Sequence, residues 1–400
     1  MRIILLGYVV RGPLGGLVWH HLQYFDGLRR LGHDVYFFED SDDYEACYDP
    51  QRDSVSKDAS YGLRFAQRTF ASCGLEDRWA YYDAHTNMWF GSRASSSREL
   101  LRTADLILNL SGMNPIREWT LHAPHLAFID TDPVFTQVRH LTDPVRRKAA
   151  SAHTAFFTFA ENFAKSGCEV PDDGFPWLPT RQPVVLERWP VSSGPSDGNF
   201  TTVMQWDSYP PVEHLGRFYG MKSSSFEPYW NLPACVDAQM EMALGSASAP
   251  RDSLRASGWI IRNPLEVTRD AWSYQQYIRD SKAEFTVAKH AYVVSRSGWF
   301  SERSAVYLAS GRPVVTQDTG FTDVLKTGWG LLAFDSLEAA ADSIRRIDQD
   351  YPLHCRCART VAEDYFASAP ILRSLVERAT SPANPKTTAP IGGTKVERGR

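Results

Sequence analysis

Short apolar runs alternate with amphipathic helical patterns along most of this 400-residue chain. Such alternation is typical of parallel β-sheets whose two faces are covered by helices. Because a single hydrophobic core stops growing at about 250 to 300 residues, this length predicts two cores. We therefore expect an α/β protein with two Rossmann-like, doubly wound domains that face each other across a cleft. The runs predicted as strands are RIILLG, HDVYFFED, ADLILNLSG, HLAFID, HTAFFTFAEN, FTTVMQW, GWIIRNP, HAYVVSRSG and RPVVTQDTG.

Composition suggests where the domains end. The segment VSSGPSDGN is rich in Gly, Ser and Pro and predicts a linker, whereas SYQQYIRDSKAEF predicts a helix of the second domain. The C-terminal helical pattern is interrupted near Pro370 and is expected to pack back toward the first domain. The final segment has almost no large apolar residue and predicts a disordered tail. The predicted units are a first domain at 1–190, a linker at 191–199, a second domain at 200–355, C-terminal helices at 356–379 and a tail at 380–400.

Charge and cysteine usage argue against several classes of function. The formal net charge is −4 and no long basic run is present, so we expect no nucleic-acid partner. No stretch of about 20 apolar residues occurs, and the first strand is too short for a signal-peptide core, so we expect no stable membrane insertion. The six cysteines are scattered, which favours free thiols in the cytoplasm over zinc or disulfides.

A glycine-rich loop follows the first strand. Gly12, Gly15 and Gly16 allow close backbone approach, and the next helix presents free N–H groups, so an anion or a sugar hydroxyl could bind there. A packing turn without a ligand is the alternative. The loop lacks the dinucleotide fingerprint G-x-G-x-x-G, and Glu39 gives only partial support for an oxidoreductase.

Three segments carry a resemblance to a known family. Gly15-Gly16, His20 and the closing GHDV at Gly32 resemble the GG-x-x-x-H to GHxV pattern of group 1, or family 4-type, glycosyltransferases of the GT-B class. YLASGRPVVTQDTGF is similar to their EAMAxGxPVV segment, and YGMKSS around Lys222 resembles their K-G element. The two acids of the family's E-x7-E motif would fall at Gly298 and Val306, so neither carboxylate is present.

The resemblance implies a glycosyltransferase of the hexosyltransferase type (EC 2.4). Such an enzyme moves a sugar from a nucleotide-activated donor, a UDP-, GDP- or TDP-sugar, to a hydroxyl of a small-molecule or glycan acceptor. The second domain would hold the donor diphosphate. Two alternatives stay open: a nucleotide-sugar epimerase of the same architecture, and a catalytically weak sugar-nucleotide-binding protein.

Donor binding requires positive charge near a leaving diphosphate. Ser301 is placed to cap a helix whose N–H groups at Glu302, Arg303 and Ser304 face the cleft. The Glu302 carboxylate could accept hydrogen bonds from sugar hydroxyls and so replace a missing family acid. The other donor-side candidates are the cations Lys222, Lys289 and Arg296 and the strand-end residues Asp318, Thr319 and Gly320. Each has an ordinary alternative as a solvated charge, a cap or a turn.

Acceptor activation requires a group that takes a proton. His20 lies in the first turns of a helix, whose dipole favours a neutral imidazole base, whereas His21 points about 100° away and is expected to be structural. Asp130 and Asp132 follow a strand, where like charges would raise one pKa, or form a turn with Pro133. Ser111 and Gly112 offer a second strand-end loop for hydroxyl binding. Cations are plentiful in the second domain, which predicts metal-independent transfer without a cofactor.

Overall fold

The computed structural model describes residues 1–381 and contains two large β-sheets, one in each half of the chain. This architecture confirms the predicted α/β class with two doubly wound units. The strands of the first half are β1 Arg2–Leu6, β2 Asp34–Asp40, β3 Cys47–Asp49, β4 Ser54–Ser56, β5 Trp79–Asp83, β6 Met88–Phe90, β7 Leu106–Leu110, β8 His125–Asp130, β9 Ala155–Thr158 and β10 Trp177–Pro179. The strands of the second half are β11 Phe200–Gln205, β12 Val212–His214, β13 Arg217–Tyr219, β14 Met240–Gly245, β15 Ile260–Arg262, β16 Ala283–Thr286, β17 Val314–Gln317 and β18 Leu331–Phe334.

Helices cover both sheets, and none in residues 1–381 is long and apolar enough to cross a membrane. Those of the first half are α1 Gly15–Arg30, α2 Ser60–Ser72, α3 Ser97–Arg102, α4 Phe135–Thr142 and α5 Pro144–Ala150. Those of the second half are α6 Ser223–Phe226, α7 Arg251–Ala256, α8 Pro264–Thr268, α9 Ala271–Asp280, α10 His290–Val294, α11 Glu302–Ala309, α12 Leu337–Gln349, α13 Tyr351–Phe366 and α14 Ser368–Thr380.

The first sheet has eight strands in the order β10-β9-β8-β7-β1-β2-β5-β6. All pairs are parallel except β5 with β6, which is antiparallel at the edge. In the central strand β1, Ile3, Ile4 and Leu5 have no solvent exposure. Because helices cover both faces of a parallel sheet, its central strands are continuous apolar runs rather than alternating ones.

The second sheet has six parallel strands in the order β15-β14-β11-β16-β17-β18. Here one prediction from the sequence is wrong. HAYVV forms helix α10, and strand β16 is built instead from AEFT, which was predicted as the end of a helix. Short apolar runs do not distinguish a buried strand from a helix, and pairing of β16 with both β11 and β17 decides the outcome.

The C-terminal helices return to the first half of the chain. The break between α13 and α14 lies at Ala367, not at Pro370, which sits in the first turn of α14 where a missing N–H is tolerated. The N–H of Val184 donates to the carbonyl of Phe366 at 2.7 Å, which ties this break to the first half. The predicted tail lies outside the described residues except at its start.

The two halves are in direct contact beside the cleft. The indole N–H of Trp19 in α1 donates to the carbonyl of Ala271 in α9 at 2.7 Å. The amide of Asn162 donates to the carbonyl of Gly320 at 2.8 Å. Both bonds are buried and join residues from opposite halves, so they fix the halves relative to each other.

Candidate active site

A cavity of about 1080 Å³ lies between the two sheets. It is lined by loops that follow β1, β8, β11, β14 and β16, together with the first turn of α11. The carboxyl ends of parallel strands lie at one edge of a sheet, so two facing sheets bring their loops around a single cleft. This position matches the cleft expected from the sequence.

Helix α11 begins at the cleft with a side-chain cap. The hydroxyl of Ser301 accepts a hydrogen bond from the N–H of Arg303 at 3.2 Å. A serine cap satisfies only one of the free N–H groups in the first turn, so others remain for an anion. The Arg303 guanidinium is ion-paired with the buried Glu284 and donates to the carbonyl of Val203 at 2.7 Å. Arg303 is therefore a fixed cation in the cavity wall.

Lys222 is the cation that the cleft leaves without a partner. It precedes α6 and is half-buried, and within residues 1–381 its ammonium has no ion pair and donates no hydrogen bond. Burial, followed by repulsion from Arg303, lowers the pKa of Lys222 well below its ordinary value. An anion bound beside Lys222 would remove this electrostatic penalty.

Lys289, by contrast, is occupied by an acid from the opposite half. Its ammonium lies 2.8 Å from Asp132 Oδ1 and donates to the Tyr209 hydroxyl at 2.7 Å. The hydroxyls of Tyr209 and Tyr292 both donate to the Asp132 carboxylate. Burial alone would raise the pKa of Asp132, but Lys289 and the two tyrosines together lower it. These four residues form an interdomain clasp on the cleft wall.

Asp130 does not line the cleft. Its buried carboxylate accepts hydrogen bonds from Thr136 Oγ1 at 2.7 Å, Gln137 Nε2 at 3.0 Å and Thr158 Oγ1 at 2.8 Å. Burial raises the pKa of Asp130, and these bonds oppose the shift. The expected pair of neighbouring cleft carboxylates is thus divided: Asp132 is in the wall, and Asp130 holds the turn behind it.

Comparisons with known proteins identify the fold. No family model matches, and no curated protein matches. Solved structures do match. One is an alpha-glucosyltransferase in complex with UDP and a 13-mer DNA containing an HMU base. It is 11% identical to this chain, with a TM-score of 0.58 over 95% of this chain and 100% of that one. HepE from Anabaena in complex with UDP and glucose matches at 12% identity and TM-score 0.55, over 96% of this chain and 100% of that one. The glycosyltransferase AviGT4 matches at 13% identity and TM-score 0.54, over 95% and 97%.

The chain has the GT-B fold. The two positions at which the family's acids are missing, Gly298 and Val306, have different surroundings in this GT-B cleft. Gly298 has φ +76 and lies against Asn162, where a side chain would clash. Val306 lies on α11 one turn after Glu302, and both line a small cavity beside the main one. Residues four apart share a helix face, so Glu302 places a carboxylate close to the vacant acid position.

His20 lines this small cavity, of about 20 Å³, and not the main cleft. Its side chain is 5% exposed, and its Nε2 has no hydrogen-bond partner within the described part of the chain. Burial lowers the pKa of His20, and Glu302 opposes the shift. His21 is held on both sides, by the carbonyl of Leu17 at 2.7 Å and the N–H of Tyr8 at 3.1 Å. Glu302 lines both cavities and therefore lies between His20 and the GT-B cleft.

The glycine-rich loop packs closely against the second half of the chain. A Cβ on Gly15 would lie 2.2 Å from the carbonyl oxygen of Asp270, which caps α9, and one on Gly16 would lie 3.3 Å from the ring of Tyr274 in α9. Gly15 therefore fits the packing turn, whereas Gly16 also lines the cavity and its contact with a ligand stays a prediction. Gly12 is also in the cavity wall.

Five donor-side candidates lie outside the lining of the main cavity, namely Ser304, described below, and Arg296, Asp318, Thr319 and Gly320. Arg296 is exposed and lies 3.5 Å from Asp323. Asp318 caps a local turn, accepting from the N–H of Gly320 at 2.9 Å, and Thr319 donates to the carbonyl of Trp299. Gly320 has φ +88, which that turn requires. The contacts of Asp318, Thr319 and Gly320 are therefore those of a local turn, the ordinary alternative to donor binding.

The remaining candidates support the wall from behind. Ser111 Oγ lies 2.6 Å from Thr131 Oγ1, and a Cβ on Gly112 would lie 2.2 Å from the Phe128 ring. The hydroxyl of Ser304 is fully buried and has no partner among residues 1–381. None of these three residues lines the main cavity.

Sequence reasoning missed several residues that line the cleft. They come from separate elements, and no local spacing connects them. The sequence signal for two of them was a position at the end of a predicted strand, which applies to Asn263 in GWIIRNP and Gln205 in FTTVMQW. The missed lining residues include Tyr8, Leu14, Leu17, Tyr48, Asp53, Gln205, Tyr209, Arg251, Asn263, Tyr274 and Tyr292.

Proposed function

We propose that this protein is a glycosyltransferase that moves a sugar from a nucleotide-activated donor to a hydroxyl of an acceptor. The observation that carries the proposal is the half-buried Lys222, which has no ion pair among residues 1–381, beside the capped start of α11 in a GT-B cleft. Both features favour an anion at the same place. Structural neighbours solved with UDP or UDP-glucose support a UDP-sugar as the first donor to test.

The donor site lies in the second half of the chain, as the domain assignment at 200–355 proposes. Lys222 and the free N–H groups of α11 would hold the diphosphate, and Arg303 would add fixed positive charge behind it. As the bond between the anomeric carbon and the diphosphate breaks, negative charge grows on the departing oxygen. Preorganised cations and N–H groups stabilise that charge most, which lowers the barrier.

The acceptor hydroxyl loses its proton as its oxygen bonds to the anomeric carbon. Glu302 is the carboxylate that the second half contributes to the cleft wall, and among residues 1–381 it has no ion pair. His20 lies behind Glu302 and is kept neutral by burial, so it can accept a proton passed through that position. We therefore assign Glu302 to substrate hydroxyls and His20 to proton transfer.

Transfer is proposed to be independent of metal. Within residues 1–381 no group of three or more His, Cys, Asp and Glu side chains could hold a metal ion. Cations of the protein are placed to balance the diphosphate instead. The test is turnover in EDTA compared with turnover in magnesium or manganese. A requirement for either metal would contradict the proposal. Cytoplasmic location stays a prediction from the sequence.

The experiment for the proposed function combines binding and product analysis. Thermal-shift screening against UDP, GDP, ADP and TDP identifies the nucleotide, because a ligand at a hundredfold its Kd stabilises by about 2.7 kcal/mol. The matching nucleotide sugars are then incubated with hydroxyl acceptors, and products are identified by mass spectrometry. A glycosylated acceptor supports the hexosyltransferase assignment. An isomerised nucleotide sugar formed without acceptor would establish the epimerase, and binding without turnover would establish the binding protein.

A further inference from the structure

The two walls of the cleft differ in charge, because the second half contributes four cations and one carboxylate, Glu302, whereas the charged lining residues described in the first half are all carboxylates. The cations that line it are Lys222, Arg251, Lys289 and Arg303, all from the second half of the chain. The wall from the first half contributes Asp53 and Asp132, and no lysine or arginine from that half is among the described lining residues. Lys289 neutralises Asp132, so Asp53 is the carboxylate that this wall presents to a ligand.

Asp53 belongs to the hairpin of β3 and β4, which is tied to the cleft. The N–H of Tyr48 donates to the carbonyl of Arg11 at 3.0 Å, and its hydroxyl donates to Asp53 Oδ1 at 2.9 Å. Burial and the neighbouring carboxylate raise the pKa of Tyr48 to about 12, so the hydroxyl remains a donor at neutral pH. One carboxylate oxygen of Asp53 is thus held, and the exposed side chain leaves the other free for a ligand.

Apolar side chains occupy the rest of this wall. Leu14 and Leu17 are both partly exposed and line the cavity beside Tyr8. Two cations are close in sequence to this wall. Arg11 is 5% exposed and pairs with the buried Glu39 at 3.5 Å, and Arg52, the neighbour of Asp53, lies 3.8 Å from Asp49, so neither is ion-paired with Asp53. The wall therefore combines an apolar surface with one free negative group.

We propose that the acceptor is a small hydroxyl compound with an apolar face and no negative charge, and that Asp53 determines this specificity. The inference rests on the proposed function, since it assigns the acceptor of the same site. The apolar face would pack on Leu14 and Leu17, and Asp53 would accept a hydrogen bond from an amine or hydroxyl of the compound. Anionic acceptors would meet repulsion from Asp53. The repulsion would be strongest for double-stranded DNA, because DNA carries one negative charge per about 1.7 Å of its helix axis.

The test uses three phenols that differ chiefly in charge: tyramine, 4-ethylphenol and 4-hydroxyphenylacetate. Their dissociation constants are measured by calorimetry on protein saturated with UDP, at low ionic strength. We expect tyramine to bind tightest and 4-hydroxyphenylacetate weakest, with about three- to fivefold between charge steps, as for an exposed ion pair. Asp53→Lys should reverse the order of tyramine and 4-hydroxyphenylacetate and leave the Kd of UDP unchanged.

Glu76→Lys is the matched control, because this substitution makes the same change of charge as Asp53→Lys. Glu76 is exposed in the same half of the chain and does not line the cleft. It should preserve the wild-type order. With UDP still bound, the inference would be overturned if the wild-type protein bound the three phenols equally, preferred the anionic one or bound none of them. It would also be overturned if Asp53→Lys left their order of affinity unchanged, or if a 13-mer DNA duplex bound as tightly as the phenols. Failure of every nucleotide to bind would overturn the proposed function, and this inference with it.

Discussion

Replacing Lys222 by methionine removes the unpaired cation of the cleft and keeps most of its apolar volume. If Lys222 holds the donor diphosphate, the variant loses one charge-assisted hydrogen bond at that anion. Two unit charges 4 Å apart interact by about 4 kcal/mol at an effective dielectric constant of 20. Desolvation reduces this, and measured hydrogen bonds to charged groups contribute about 1.5–3 kcal/mol. We therefore expect the Kd of the nucleoside diphosphate to rise by about 10- to 150-fold.

The same substitution should stabilise the protein when no nucleotide is bound. Burial holds the pKa of Lys222 below its unfolded value, so the unfolded chain binds its proton more tightly than the folded chain. At neutral pH this difference destabilises the fold, and methionine abolishes it. Removing such a buried charge typically changes stability by about 0.5–2 kcal/mol, which corresponds to a rise in Tm of about 1–4 °C.

Proton linkage gives a further signature of Lys222. A bound diphosphate would raise its pKa, so binding takes up protons and affinity falls as the pH rises through the pKa of the bound state. Calorimetry in buffers of different ionisation enthalpy measures this uptake, which the methionine variant should lack. Lys326→Met is the control, since Lys326 is exposed in the same half and does not line the cavity. A Lys222→Met protein whose Kd stays within twofold of wild type would refute the donor-site assignment.

Five further substitutions test the interface, the clasp and the histidine pair. Gly15→Ala places a Cβ 2.2 Å from the backbone carbonyl oxygen of Asp270 and should lower the free energy of unfolding by about 1–3 kcal/mol, seen as a lower Tm. Gly16→Ala places a Cβ 3.3 Å from the Tyr274 ring and should lower it less. Equal effects of the two substitutions would contradict the packing of this loop against the second half. Asp132→Asn should lower Tm at pH 7, because the clasp stabilises the ionised Asp132 carboxylate. Since folding lowers the pKa of Asp132, the difference in Tm from wild type should vanish as the pH falls through that pKa. A difference in Tm that does not depend on pH would argue against the clasp. His20→Ala should lower kcat/KM by about 10²- to 10⁴-fold with an unchanged nucleotide Kd, and wild-type turnover in this variant would remove His20 from the mechanism. His21→Ala loses two partly buried hydrogen bonds and should mainly lower Tm.

Local sequence determined the broad architecture. Continuous apolar runs such as RIILLG can be buried only where both faces of a strand are covered, which requires helices on each side of a parallel sheet. That arrangement also places the functional loops after the strands, so Lys222, Ser301 and Glu302 were expected at the cleft before any contact was known. The helix cap at Ser301 is likewise a local property, since it depends on residues two positions apart.

Some errors arose where local pattern is ambiguous. HAYVV and AEFT are both short and largely apolar, and the pairing of β16 between β11 and β17, not propensity, made the second one the strand. The glycines of the first loop fit a ligand turn as well as a packing turn. Their function depends on which element faces them, and that element, α9, lies more than 250 residues away in the chain.

Only the tertiary structure decided how the charged residues are used. Lys289 and Arg303 are both cations near strand ends, yet Lys289 is neutralised by an acid 157 residues away and Arg303 by Glu284, whereas Lys222 has no partner within the described residues. Sequence cannot rank such residues, because ion pairing depends on distances across the fold. The spacing from the glycines singled out His20, and its role in catalysis stays a prediction. Its position in a small cavity beside Glu302 follows from how the two halves pack, which no single segment encodes.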